Sequence, residues 1–467
     1  MRAGNEIEKS KRLLSLDALR GLAVLLMVLS GSIAFGGVMP AWMYHAQVPP
    51  PAHVFNPDLP GITWVDLVFP FFLFSMGAAL PLALSRKLDD KGLGWICLQI
   101  IKRYILLIFF AIFTYHARAW VMNPSAGVAE NLLSMGCFAL LFLILSHITF
   151  ETLKISTARQ AIGFVIAVLF LSCYNFKNGG FNLNHSDIII VVLANMALFG
   201  SIIWIITRNK PWLRLGILPI VMAIFLSGKA TGSWQHVVYS WSPISWAYDF
   251  YYLKYLFIII PGTFAGEWLV MAGSNKQTAK QSLKALWIGV LAMLMVVLDT
   301  YFLFARELAL CVFATFFLAV ILVYSCKRLD LPKVYQQLAG SGAYLLILGL
   351  CYEAFEGGIK KDPSTYSYYF VCTGMAFLVL LSFMIFESSG YLNKPFKYVA
   401  MVGQNPMIAY TTGNLFLLPL LRILDFENTL NLLNLNALGG FARGLIFTMV
   451  VALVTLFFAK KRVFWKT

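Results

Sequence analysis

The chain has 467 residues, 60% of them hydrophobic and only 12% charged, with a formal net charge of +15. Soluble domains run near 45–50% apolar and about 25% charged, so an ordinary water-soluble enzyme is excluded. Nor does the charge point to nucleic acid: Lys and Arg fall in alternate short loops between apolar runs, as the positive-inside rule requires of a membrane protein.

A basic start (Lys9, Lys11, Arg12) precedes an apolar run from Leu13 to Phe35. That run is too long for a signal-peptide core and reads as a retained first helix with its N-terminus in the cytoplasm. Taken in chain order, spans are predicted over 14–37, 64–85, 100–118, 130–149, 160–174, 186–206, 212–227, 251–271, 283–303, 306–326, 340–355, 366–386, 398–421 and 440–460. Crossing ~30 Å of hydrocarbon takes roughly 17–25 residues, and these must be helical because lipid offers the backbone no hydrogen-bond partner. The expected fold is all-α, a polytopic membrane bundle of about 10–14 transmembrane helices in one domain over 1–467, with both termini cytoplasmic. The segments 160–174, 212–227 and 340–355 are short enough to be re-entrant or half-helices.

Two loops on the non-cytoplasmic side are long enough to build something. Residues 36–62 hold Trp42, Tyr44, His45, His53, Asn56 and Asp58 among six prolines, and proline's fixed φ stiffens such a loop. Residues 228–251 hold Trp234, Gln235, His236, Trp241, Trp246, Tyr248 and Asp249. Aromatics there form either an interfacial belt or a platform for a sugar, which makes Trp42, Trp241, Trp246 and Asp249 the candidate substrate-binding residues.

Ionisable groups inside spans are expensive and mark candidate function. Asp17 and Arg20, in Ser15-Leu16-Asp17-Ala18-Leu19-Arg20-Gly21, share a helix face and can pair. They serve either as a structural ion pair or in holding an anionic cofactor. Asp66 lies just inside the opposite face and needs a partner; a loop histidine, His45 or His53, is the natural one, since a carboxylate orients and stabilises an imidazole base. His116 and Arg118, on that same side, are weaker candidates. The Asn405-Pro406 step, with Tyr410 beyond it, interrupts a helix and either frees backbone groups for a ligand or only kinks the chain. The seven cysteines are scattered with no CxxC pair, so neither a metal site nor a disulfide framework is expected.

Three stretches carry a resemblance: Ser15-Leu16-Asp17-Ala18-Leu19-Arg20-Gly21, His45-Ala46, and the run from Gly61-Ile62-Thr63-Trp64-Val65-Asp66 to Phe74. Together they are similar to the heparan-α-glucosaminide N-acetyltransferase family and its bacterial relatives. The stretches Pro261–Gly266 and Gly403–Tyr410 are similar to later family features. The detailed match covers roughly 13–85.

The resemblance implies an acyltransferase of the bacterial inner membrane. In it acetyl-CoA donates from the cytoplasm, a glucosamine or other glycan accepts on the far side, and a loop histidine acts as base or acetyl carrier. His53 is nearer the family position by spacing; His45, with Ala46 after it and Trp42 and Tyr44 before it, has the local context, and we expect His45. Where many relatives carry an Asn late in the first span, this chain has Ser30 and Ser32. Phosphates of acetyl-CoA would meet Arg20, Arg86, Lys102 and Arg103, with Asp17 and Asn405 nearby. The partners expected are the glycan acceptor and the lipid bilayer, with no nucleic acid; a homodimer is compatible with the sequence. The competing class is a transporter for an amino sugar, which broken spans and buried charges also suit, although no inverted repeat is visible.

Overall fold

The structure is a computed structural model and describes residues 13–147, 153–177, 179–274, 283–390 and 393–466. The expected basic residues Lys9, Lys11, Arg12, Lys276 and Lys280 lie outside them. The apolar runs fold as helices: α1 (Leu14–Ser32), α2 (Trp64–Lys91), α3 (Leu93–His116), α4 (Val128–Leu145), α5 (Leu153–Cys173), α6 (Ile188–Ile206) and α7 (Pro211–Ser227). They continue as α8 (Leu256–Ser274), α9 (Leu283–Ala305), α10 (Leu308–Arg328), α11 (Lys333–Phe355), α12 (Tyr366–Ser389), α13 (Asn393–Gly403), α14 (Pro406–Ile423) and α15 (Ala437–Lys460). Among the described residues twelve helices are long and apolar enough to cross a membrane; α14, bent by 102° against Phe426–Leu435, makes a thirteenth. The protein is a multi-pass, all-α membrane bundle.

Several predicted boundaries move. Helix α1 stops at Ser32, not at 37: Ile33 goes over to extended backbone, and Gly36 and Gly37, at positive φ, then turn the chain into the loop. The segments 160–174 and 340–355 are parts of full spans, α5 and α11, whose polar N-terminal turns mask their length in the sequence. Only α7, with 17 residues, remains short. The predicted span 398–421 is two pieces: α13 ends at Gly403, and α14 restarts at Pro406, whose missing N–H suits a first helical position. A π-helical turn, Thr412–Leu417, interrupts α14.

Helix α12 is the axis of the bundle: 83% of its apolar window is buried, against 17% for α5 and 22% for α15, which face lipid. Small residues bring backbones together around it. Gly262 and Gly266 are spaced as in a GxxxG motif and lay α8 on α2; a methyl on Gly262 would sit 2.7 Å from the Phe74 carbonyl, and one on Gly266 would collide with that of Ala78. Gly21 and Gly403 make the reciprocal crossing of α1 and α13, each occupying the space where the other helix's backbone passes.

Contacts between loops sort the ends of the helices into two faces. On one, Asp89 pairs with Arg208 at 2.7 Å, Ser15 meets Glu387, and the two-residue strands Ser146–His147 (β1) and Phe464–Trp465 (β2) pair antiparallel. On the other, Gly61 donates to Ile359, Gln47 to Asp362, and Arg118 to Asp187. The start of α1 and the end of α15 share the first face, which carries most of the basic loops; we call it the basic face, and its opposite the distal face.

Candidate functional site

On the distal face the site grows out of the N-terminus of α2. Thr63 and Asp66 form a capping box: the Thr63 hydroxyl accepts from the Val65 N–H, and Asp66 Oδ2 accepts from the Thr63 N–H at 3.0 Å. Satisfying the helix end fixes the carboxylate, whose Oδ2 also accepts from the Ala46 N–H at 3.2 Å. Its second oxygen, Oδ1, faces His45 Nδ1 at 2.7 Å. Asp66 is 2% exposed and His45 40%, so a buried acid supports an accessible imidazole. With Nδ1–H donating to the carboxylate, Nε2 carries the lone pair, the tautomer a general base requires.

A second loop, between α11 and α12, closes over this pair. Gln47 binds the Asp362 backbone through both ends of its amide (Nε2 to O 2.5 Å, N to Oε1 2.8 Å), and Gly61 N–H donates to Ile359 at 2.8 Å. This places Lys361 Nζ 3.2 and 3.4 Å from the two His45 nitrogens and 3.9 Å from Asp66 Oδ1. Burial pulls the Lys361 ammonium below the ordinary lysine range, with Asp66 and Asp362 opposing the shift. From beneath, the Tyr368 hydroxyl donates to the Asp66 carbonyl at 2.8 Å.

His53 is not part of this centre. It sits at φ +50°, its Nε2 accepts from Gly36 N–H at 3.1 Å, and its ring packs edge-on against Phe35 and Tyr44. Its closer spacing to Gly61 counts for little, because the loop doubles back and hands the Asp66 position to His45. Trp42 is exposed and lines an apolar groove of about 440 Å³ between α1, α2 and α9. Trp241, Trp246 and Asp249 form no platform over His45: Trp241 packs edge-on against Tyr248, Trp246 against the core, and Asp249 caps the 3₁₀ turn that leads into α8 by accepting from Tyr251 N–H. His116, buried between Phe176 and Phe181, binds the Ile112 carbonyl, while Arg118 and Tyr410 both bind Asp187, at 2.5 and 2.7 Å. Ser30 and Ser32 bond to their own helix, Ser32 also to Gly444 across the crossing with α15.

From the basic face a cavity of about 390 Å³ opens among α2, α3, α6 and the α13–α14 break. Arg20, Lys87, Arg103 and Lys466 line it with Trp95, Gln99 and Trp465. Arg20 pairs with Asp17 at 3.5 Å, as the spacing predicts. Two other expected residues lie elsewhere: Arg86 is exposed and pairs with Asp90, and Lys102 is exposed off the cavity wall, one position round the helix from Arg103. Asn405 is spent on the protein itself, donating to the Val463 carbonyl and accepting from the Trp465 N–H. Its side chain pins a neighbouring segment instead of reaching into the cavity. Above the cavity lies a narrow apolar space of about 30 Å³, sharing Phe72, Leu193, Pro406 and Met407 with it and reaching Met27, Phe69 and Tyr410. Phe69 is one helical turn from Asp66, so the two spaces line up from the basic face toward the distal site.

The sequence reading missed Lys361, Gln47, Tyr368, Lys87, Trp465 and Lys466. One signal was available: Lys360-Lys361 is a basic pair in a distal loop, against the charge pattern of the rest. No curated protein matches the chain. The family described as a domain of unknown function (DUF5009) matches residues 12–269, more than half of the chain and the part that holds His45, Asp66, Arg20 and Arg103, and the chain belongs to that family.

Proposed function

We propose that this protein is a transmembrane acyltransferase that takes acetyl from acetyl-CoA at the basic, cytoplasmic face and passes it to an amine or hydroxyl of a sugar at the distal face. The observation that carries the reading is the His45–Asp66 pair at 2.7 Å, an accessible imidazole on a buried acid, standing in line with a basic cavity on the other side. His45 Nε2 would take the proton of the attacking acceptor, and Asp66 would stabilise the resulting imidazolium. Lys361, fixed beside the ring, would as an ammonium stabilise the tetrahedral oxyanion before the thiolate leaves. Resemblance to the heparan-α-glucosaminide N-acetyltransferase family supports the donor and acceptor classes, and the inner membrane of a bacterium as the location.

The test is CoA release by purified protein from acetyl-CoA plus glucosamine, with His45→Ala and His53→Ala alongside. Acceptor-dependent release that His45→Ala abolishes and His53→Ala spares is expected. Undiminished turnover in His45→Ala would overturn the assignment. The 102° bend after α14 favours a second reading, an amino-sugar carrier, because broken helices line transport paths. A carrier has no use for acetyl-CoA, so wild-type protein that moves glucosamine across vesicles and binds no acetyl-CoA would select it.

A further inference from the structure

The segment after α15 does not hang from the bundle. It turns back under the basic face and is held at four consecutive residues, 463–466. Asn405 takes the Val463 carbonyl at 2.7 Å, strand β2 pairs with β1, and the Lys466 N–H donates to the Leu145 carbonyl at 3.0 Å. The Trp465 ring is 5% exposed and clasped by Phe110, Phe138 and Phe142, with centroids 6.4, 5.8 and 4.8 Å away. An indole so placed normally has its N–H bonded. Here Nε1 is buried with no partner among the described residues, and so is Nε of Arg103, another residue lining the cavity. Trp465 and Arg103 stand with Arg20, Lys87 and Lys466 around about 390 Å³, a volume within the 300–1,000 Å³ usual for ligand pockets. Four basic side chains on one wall suit an anion with several acceptor oxygens.

Resting on the acyltransferase reading, we propose that the segment Lys461–Lys466 is the floor of the acetyl-CoA site, with Trp465 and Lys466 binding the phosphate-bearing end of the carrier and Asn405 acting as the positioning residue that holds the floor in place. Because the same segment both docks on Asn405, just ahead of α14, and lines the cavity, the carrier stabilises the docked segment and docking raises affinity for the carrier, the two being linked. The sequence gives no hint of this, since 461–466 reads as an ordinary basic tail.

The experiment uses full-length protein in detergent with CoA itself as the probe, so that no turnover intervenes. Affinity is measured for wild type, Trp465→Phe, Lys466→Ala and Asn405→Ala, and amide exchange at 463–466 is followed with and without CoA. Trp465→Phe keeps an aromatic ring in the clasp but removes the N–H with part of the bicycle, so Lys466→Ala, which leaves that packing untouched, is read beside it. The expected result is a loss of about tenfold or more in each variant, the scale of a hydrogen bond to a charged group, and slower exchange at Trp465 and Lys466 when CoA is bound. Wild-type binding that the variants leave unchanged, with exchange at 463–466 insensitive to CoA, overturns the floor and leaves the transferase standing. Wild-type protein that binds no CoA overturns both.

Discussion

The distal site and the basic cavity are built on opposite plans. Around Asp66 every strong polar group has a protein partner: two backbone N–H groups, a histidine, a lysine and a capping threonine converge on one carboxylate. Around the basic cavity four basic side chains gather, and two buried donors on its lining residues, Arg103 Nε and Trp465 Nε1, have no partner among the described residues. A region already satisfied is preorganised and suits chemistry, where reacting groups must not rearrange. A region left unsatisfied is completed by what binds it.

From that contrast, distal variants are expected to lower turnover without changing donor affinity, and cavity variants to do the reverse. The largest effect falls on His45→Gln, expected to cut turnover by about 10²–10⁴-fold, the scale of a lost general base, with CoA affinity intact. A parallel loss of CoA affinity would erase the distinction. Asp66→Asn comes next. It puts an NH₂ among groups that already donate to the carboxylate, and breaking such a buried pair costs about 3–5 kcal/mol, so a fall in thermal midpoint should accompany lost turnover. An Asn variant as stable as wild type would show that the carboxylate charge is not held as described.

Arg103→Gln should weaken CoA binding about tenfold, more steeply at low salt, while the rate at saturating donor stays unchanged. A loss of rate at saturation would join the two regions into one. The smallest effect is a pH dependence. Burial lowers the Lys361 pKa, so between that depressed value and the ordinary lysine value near about 10.4 the unfolded chain binds more protons than the folded one. Stability therefore gains with rising pH in that window. Lys361→Met removes this gain, and its thermal midpoint should rise less than that of wild type between neutral pH and about pH 10. Identical slopes would mean that Lys361 is as well hydrated as a surface lysine.

The sequence shows the bundle plainly, because hydrocarbon forces long apolar runs to be helical. It also shows Asp66, since a carboxylate opening a span stands out. The His45–Asp66 pair was legible as a candidate, and only the folded loop separates His45 from His53: spacing along a chain says little where prolines and glycines reverse it. Lys361 lies more than 300 residues from His45 and enters through backbone bonds between Gln47 and Asp362, which leave no trace in composition. Arg86 and Lys102 were misplaced for a simpler reason. Basic residues cluster at membrane boundaries to satisfy topology, and helical phase alone decides which of them, such as Lys87 and Arg103, point inward.

The crossing of α1 and α13 sets a condition on how the protein is made. Gly21 fits only against Gly403, and the two are about 380 residues apart in the chain. At a synthesis rate of about 5–20 residues per second, α1 waits in the bilayer for roughly 20–80 s before its partner emerges. During that interval its Asp17–Arg20 pair faces lipid or whatever assists insertion, and no distal site exists, since the loop bearing Lys361 arrives in the same late portion. Truncated chains released before α13 should therefore be substrates for membrane quality control, not partial enzymes.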